Sequence, residues 1–135
     1  MPTIEDVRQM ARNLPRSYEV VVRGRVKFRV GHIVWAAFSR DETQMGFAFP
    51  KEERDALVQT YPEKFRLPRE SDLRFNWVVA RLDALDDEEL TEYVLDAWRI
   101  VVPKFLASRS DDELLGGYSM NSDGQGTGTS SAKRA

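Results

Sequence analysis

Residues 23–39, RGRVKFRVGHIVWAAFS, decide the fold class of this chain. Val26, Phe28 and Val30 alternate with Arg25, Lys27 and Arg29, the period-two pattern of a strand with one apolar and one cationic face. Gly31 supplies a turn, and residues 33–38, IVWAAF, return with no polar interruption. Such a run predicts a strand inside a sheet, buried on both faces. The stretch therefore reads as a hairpin that carries a core face, a cationic face and a strand within the sheet.

Upstream, Tyr18, Val20 and Val22 extend the even-numbered apolar row, and Gly24 interrupts it as either a bulge or a turn. Before them, Ile4, Val7, Met10, Ala11 and Leu14 repeat at helical spacing, with Thr3 and Asp6 in capping-box positions and Pro15 as a stop. Downstream, Met45, Phe47 and Phe49 predict a third strand, and Pro50 starts a helix whose Ala56, Leu57 and Tyr61 point inward. Residues 61–74, broken by Pro62 and Pro68, read as a long mobile loop. FNWVVARL, residues 75–82, is a further strand, with Trp77 on the face opposite Val78, Ala80 and Leu82. Asp86 caps the longest helix with Glu89 as its reciprocal partner. Leu90, Val94, Ala97, Trp98, Val101 and Phe105 form its stripe, and Pro103 kinks or ends it. These elements give one domain over residues 1–109. Residues 110–135 are rich in Gly, Ser and Thr and read as a disordered tail with almost nothing to bury.

Composition narrows the function classes. The chain has 135 residues and no cysteine, which excludes a disulfide framework, a thiolate metal site and a cysteine nucleophile. No apolar run approaches the ~20 residues that cross a bilayer, and the charged opening helix is unlike a signal peptide. A cytoplasmic location without a membrane partner is the expectation. Net charge is −2, so the chain as a whole is no polyanion binder, but the charge is unevenly spread. Residues 15–40 hold six basic side chains against Glu19 alone, whereas residues 83–96 hold seven acids and no base.

No arrangement of residues fixes a reaction. His32 is the one histidine, at a turn, and no nucleophile elbow or phosphate cradle is present. The acids at Asp86, Asp87, Glu88 and Glu89 suit the positive end of a helix dipole better than a metal. No enzyme activity, metal or cofactor is expected. The row Arg23, Arg25, Lys27, Arg29 is the strongest functional signal. Alternate strand residues lie roughly 6.5 to 7 Å apart, close to the phosphate repeat along a nucleic-acid strand, roughly 6 to 7 Å. The same row is also what an edge strand carries against unwanted pairing, and on the residues alone that is the commoner case.

Taken in order, EDVRQMARNLP (residues 5–15), VKFRVGHIVWAAF (26–38), ERDALVQTYPEKF (53–65) and WVVARLDALDDEELTEYVLDAWRIVVPKFL (77–106) resemble the MmcQ/YjbR family of small bacterial proteins. Trp98, Arg99, Pro103 and Lys104 are the most specific part of the likeness. The resemblance implies a CyaY-like α+β fold in the order α-β-β-β-α-β-α, an antiparallel sheet packed against helices. It also implies DNA binding of a double-wing kind. His32 stands where the family has a turn lysine, which removes a permanent charge from the hairpin tip. Two functions follow as expectations. One is a non-enzymatic domain that binds double-stranded DNA through a basic hairpin wing, with Arg23, Arg25, Lys27 and Arg29 on phosphates and Arg99 and Lys104 adding charge if the long helix ends nearby. The other is a module for a protein partner or small ligand, built on the 61–74 loop and Trp77.

Overall fold

The computed structural model describes residues 2–116. Its elements in chain order are α1 (Ile4–Ala11), β1 (Ser17–Val22), β2 (Arg25–Val30), β3 (Ile33–Phe38), β4 (Gln44–Ala48), α2 (Lys51–Thr60), β5 (Phe65–Arg66), β6 (Trp77–Arg81), α3 (Asp87–Val101), α4 (Lys104–Ala107) and α5 (Asp111–Leu115). All six strands form one sheet in the order β1-β2-β3-β4-β6-β5, with every neighbouring pair antiparallel. The α+β class is as expected, with two strands more than the sequence pattern predicted. The short β5 is one. The other comes from the split of residues 17–30 into β1 and β2.

That split settles the role of Gly24. Arg23 and Gly24 both have positive φ, 53° and 78°, and together form a two-residue turn. Positive φ at both central positions defines a type I′ turn, whose twist matches that of the flanking strands. The turn reverses the chain, so Tyr18 pairs with Arg29, Val20 with Lys27 and Val22 with Arg25. Directly paired residues share a face of the sheet. The apolar row of β1 therefore lies beside the cations of β2, not in line with Val26, Phe28 and Val30.

One sheet face carries the core. Val26, Phe28, Val30, Phe38, Met45, Phe47, Val78 and Ala80 are buried there together with the α3 stripe Leu90, Val94, Ala97 and Trp98. Trp98 is fully buried, and its Nε1 donates to the Pro15 carbonyl at 2.9 Å, so its polar atom is satisfied. Trp35 reaches the core through a register shift opposite Phe28 and Arg29. Its ring lies 5.7 Å from Phe28, and its Nε1 donates to Ser17 Oγ at 3.2 Å.

The helix caps follow the sequence. Asp86 Oδ1 accepts from Glu89 N at 2.7 Å, and Asp86 N donates to Glu89 Oε1 at 2.9 Å. Pro103 ends the long helix by starting α4, and that break removes Phe105 from the expected stripe. Phe105 is 63% exposed, with the Arg16 guanidinium 5.7 Å from its ring. In α2 the expected inward residues Ala56 and Tyr61 are exposed, and Leu57 is half-buried. Arg54 is the buried member of that helix.

The domain extends beyond residue 109, which corrects the expected boundary. Ser110 and Glu113 form a capping box that starts α5, and Leu114 is 2% exposed. Leu114, with Leu115 partly buried beside it, anchors a segment that reads as tail. The rest of the predicted tail lies outside the described residues. Among the described residues, no helix is long and apolar enough to cross a membrane.

Candidate nucleic-acid interface

Strand alternation and register place Arg25, Lys27 and Arg29 of β2 on the sheet face opposite the core. Pairing carries that face across the sheet: Ala37 opposite Lys27, Gly46 opposite Ala37, Val79 opposite Gly46 and Arg66 opposite Val79. Arg81, opposite Gln44, lies on it too. The strands therefore present five basic side chains here and no acidic one. The one acidic strand residue, Glu19, pairs with Phe28 and so points to the other side. There Arg8 of α1 holds it with two bonds of 2.9 Å, Nε to Oε1 and Nη2 to Oε2.

Arg25, Lys27 and Arg29 have no ion-pair partner among the described residues. Arg29 is half-buried, and its Nε is enclosed without a hydrogen-bond partner. Arg69 and Arg81 are instead matched locally, to Asp72 at 3.3 Å and Asp83 at 3.4 Å. Arg66 of β5 has no ion-pair partner among the described residues either, so three of the four unneutralised strand cations of this face lie on β2.

β3 explains why this face can hold a ligand. Its uninterrupted apolar run does lie inside the sheet, but the face bearing Val34 and Ala37 is not buried by a helix. Both residues are half-buried and line a groove of about 960 Å³, together with Arg25, Lys27, Gly46 and Trp77. Pro68, Arg69, Asp72 and Phe75 form one wall, and the end of α3 at Ile100, Val101 and Val102 contributes another part of the lining. This volume is in the range of small-molecule clefts, ~300–1,000 Å³. Arg25 and Lys27 of the basic row and Trp77, which the sequence assigned to two competing functions, line the same groove.

Trp77 has a seat made for it. A Cβ at Gly46 would lie 2.5 Å from its Nε1 and 2.9 Å from Cε2, so only glycine lets the indole rest there. Arg54 fixes the adjoining loop. Its Nη1 donates to the carbonyls of Phe75 and Trp77, each at 3.0 Å, and its Nη2 to that of Leu73 at 2.8 Å. The segment expected to be a mobile loop is therefore pinned at its end, and it includes β5 and a turn of 3₁₀ helix over Glu70–Asp72.

The remaining predicted contacts sit elsewhere. Arg23 is exposed in the β1–β2 turn, outside the row, and its carbonyl accepts from Arg40 Nε at 3.2 Å. Arg99 is engaged within the fold: Nε donates to the Ala107 carbonyl at 2.9 Å, and Nη2 to the Arg109 carbonyl and Asp111 Oδ1 at 2.8 and 2.9 Å. It joins α3, α4 and α5, and its remaining nitrogen, Nη1, is enclosed in the fold without a hydrogen-bond partner, 3.7 Å from Asp96 Oδ1. Lys104 is exposed on α4 but does not line the groove. His32 is exposed at the β2–β3 turn, where Gly31 has φ 61° and accepts at its carbonyl from the Tyr18 hydroxyl. At the acidic helix start, Glu89 Oε2 takes Lys64 Nζ at 2.7 Å, which holds the lysine pKa above its usual value.

These features define a small antiparallel α+β domain with one sheet face packed under helices and the other an open cationic groove. The YjbR family model matches residues 12–100, and the chain belongs to the YjbR family. Among solved structures it is similar to the crystal structure of Deinococcus radiodurans protein DR2400, of the family-model domain DUF419. The TM-score is 0.67 at 22% identity, covering 86% of this chain and 89% of that one. At that identity the likeness shows the fold. No curated protein matches.

Proposed function

We propose that this protein is a non-enzymatic nucleic-acid-binding module that contacts DNA phosphates through Arg25, Lys27 and Arg29. The observation that carries this reading is the charge separation across the sheet. Five basic strand residues share the open face, and the one acidic strand residue is on the other face, neutralised by Arg8. β2 pairs on both sides, with β1 and β3, so its cations do not guard a sheet edge. Of the two readings drawn from the sequence, the phosphate reading is supported in altered form: Arg25 and Lys27 belong to the wall of a groove, with Arg29 next along β2 on the same face, and not to a projecting wing. Arg99 leaves the contact set, because its Nε and Nη2 are bonded within the fold and its Nη1 is enclosed.

Anisotropy of a labelled oligonucleotide at low salt tests the proposal. Lys27→Glu, in the groove, lowers affinity severely. Lys104→Glu, outside it, changes net charge identically and leaves affinity near that of the wild type. Equal losses from both would show that binding follows overall charge, and would refute this site.

A further inference from the structure

We infer that the groove takes DNA as a single strand, with a base stacked on Trp77 and phosphates on Arg25 and Lys27. This inference rests on the phosphate-binding reading above and adds the form of the nucleic acid. Three observations carry it. The floor between the cations and the Trp77 indole is made of Val34 and Ala37, with Val79 beside the ring, a strip without charge. Such a floor accepts a flat apolar surface and gives phosphates nothing.

The spacing is the second observation. Trp77 is borne by β6, but its indole lies over Gly46 of β4, two strand intervals from β2, which at ~4.8 Å each is roughly 10 Å. That distance suits neighbouring positions on an extended strand, one phosphate on β2 and one base over β4. The third is the tryptophan itself. Gly46 takes one side of the indole, and Trp77 still lines the groove half-exposed. Phe75, 49% exposed on the adjoining wall, offers a second ring, with the Arg74 guanidinium 4.7 Å from it. Aromatic rings beside a cationic track are how proteins hold single strands, because every base has a face to stack. A duplex keeps those faces inside its own stack and offers this groove only phosphates and base edges.

Tryptophan fluorescence tests the inference directly, because Trp35 and Trp98 are both 0% exposed and Trp77 is the tryptophan a ligand can touch. The protein is titrated at low salt with an oligothymidylate, a duplex of equal length and thymidine monophosphate. The oligothymidylate should quench the emission and bind about 10-fold tighter than the duplex. Trp77→Leu should weaken the oligothymidylate by about 10-fold and leave the duplex unaffected. Trp77 lies off the core, and Gly46→Ala provides a second variant that displaces the indole without deleting it. Equal binding of single strand and duplex with unchanged emission overturns the stacking while the phosphate reading stands. Monophosphate binding as tight as the oligomer overturns the strand in favour of a mononucleotide pocket. No binding of any of the three overturns both.

Discussion

Arg54→Met tests whether one buried guanidinium holds the wall of the groove. Arg54 is 6% exposed and donates to three carbonyls, those of Leu73, Phe75 and Trp77. Among the described residues no carboxylate is paired with it. A hydrogen bond from a charged donor contributes ~1.5–3 kcal/mol, so three set an upper bound near ~9 kcal/mol. Two effects reduce it. Leu73 and Phe75 lie in a partly exposed loop, where water can replace the lost donor, and methionine removes the cost of burying a cation. A net loss of about 2–4 kcal/mol is expected. For a domain of this size that lowers Tm by roughly 10 to 20 °C. Thermal melts followed by circular dichroism give the value, and tryptophan emission should shift to the red as Trp77 gains water. Arg54→Lys should recover less than half of the loss, because an ammonium cannot reproduce the planar fork that reaches three acceptors. A Tm within about 2 °C of the wild type would refute this account, since the loop would then stand without the arginine.

Two further outcomes follow from the packing and from the titration of a core tyrosine. Leu114→Ala should cost about 2–3 kcal/mol in urea denaturation, because α5 is anchored by that side chain; a loss under about 0.5 kcal/mol would mean that α5 does not dock. Tyr93, packed against Phe47, Phe49 and Phe65, has its pKa pushed up to about 12, chiefly by burial. Its unfolded pKa is about 10, so above that pH the unfolded chain gives up a proton that the folded chain keeps, and stability falls. Tyr93→Phe should make the decline between about pH 10 and 12 shallower, and an unchanged pH profile would place the phenol in water.

The basic row was legible because β2 alternates strictly and both its faces are chemically pure. The outward Trp77 and the Asp86–Glu89 cap were legible for the same reason, a short local pattern with one geometric solution. The Arg23–Gly24 turn was ambiguous because arginine is a poor signal for positive φ, and the even-numbered apolar row ran on through it. β3 misled by half: an uninterrupted apolar run predicts burial on both faces, but here the second face lines the groove. Arg54 could not be found from sequence, since an arginine among Glu52, Glu53 and Asp55 reads as solvated. Its three acceptors are 19 to 23 residues away. Arg99 misled because its acceptors are mostly backbone carbonyls, which no residue pattern announces. The groove itself joins strands from β2 to β6, so only the pairing order brings its parts together.

The salt dependence of oligothymidylate binding tests the central claim most directly. Each phosphate neutralised on a single strand contributes a slope of roughly −0.7 to log affinity against log salt. Arg25, Lys27 and Arg29, each on one phosphate, therefore supply about −2 of the wild-type slope. Replacing all three by glutamine should flatten the slope by about two units and leave the fold intact, because their side chains point away from Val26, Phe28 and Val30. Parallel slopes for the wild type and the triple variant would contradict the account, since the phosphates would then be held by other residues.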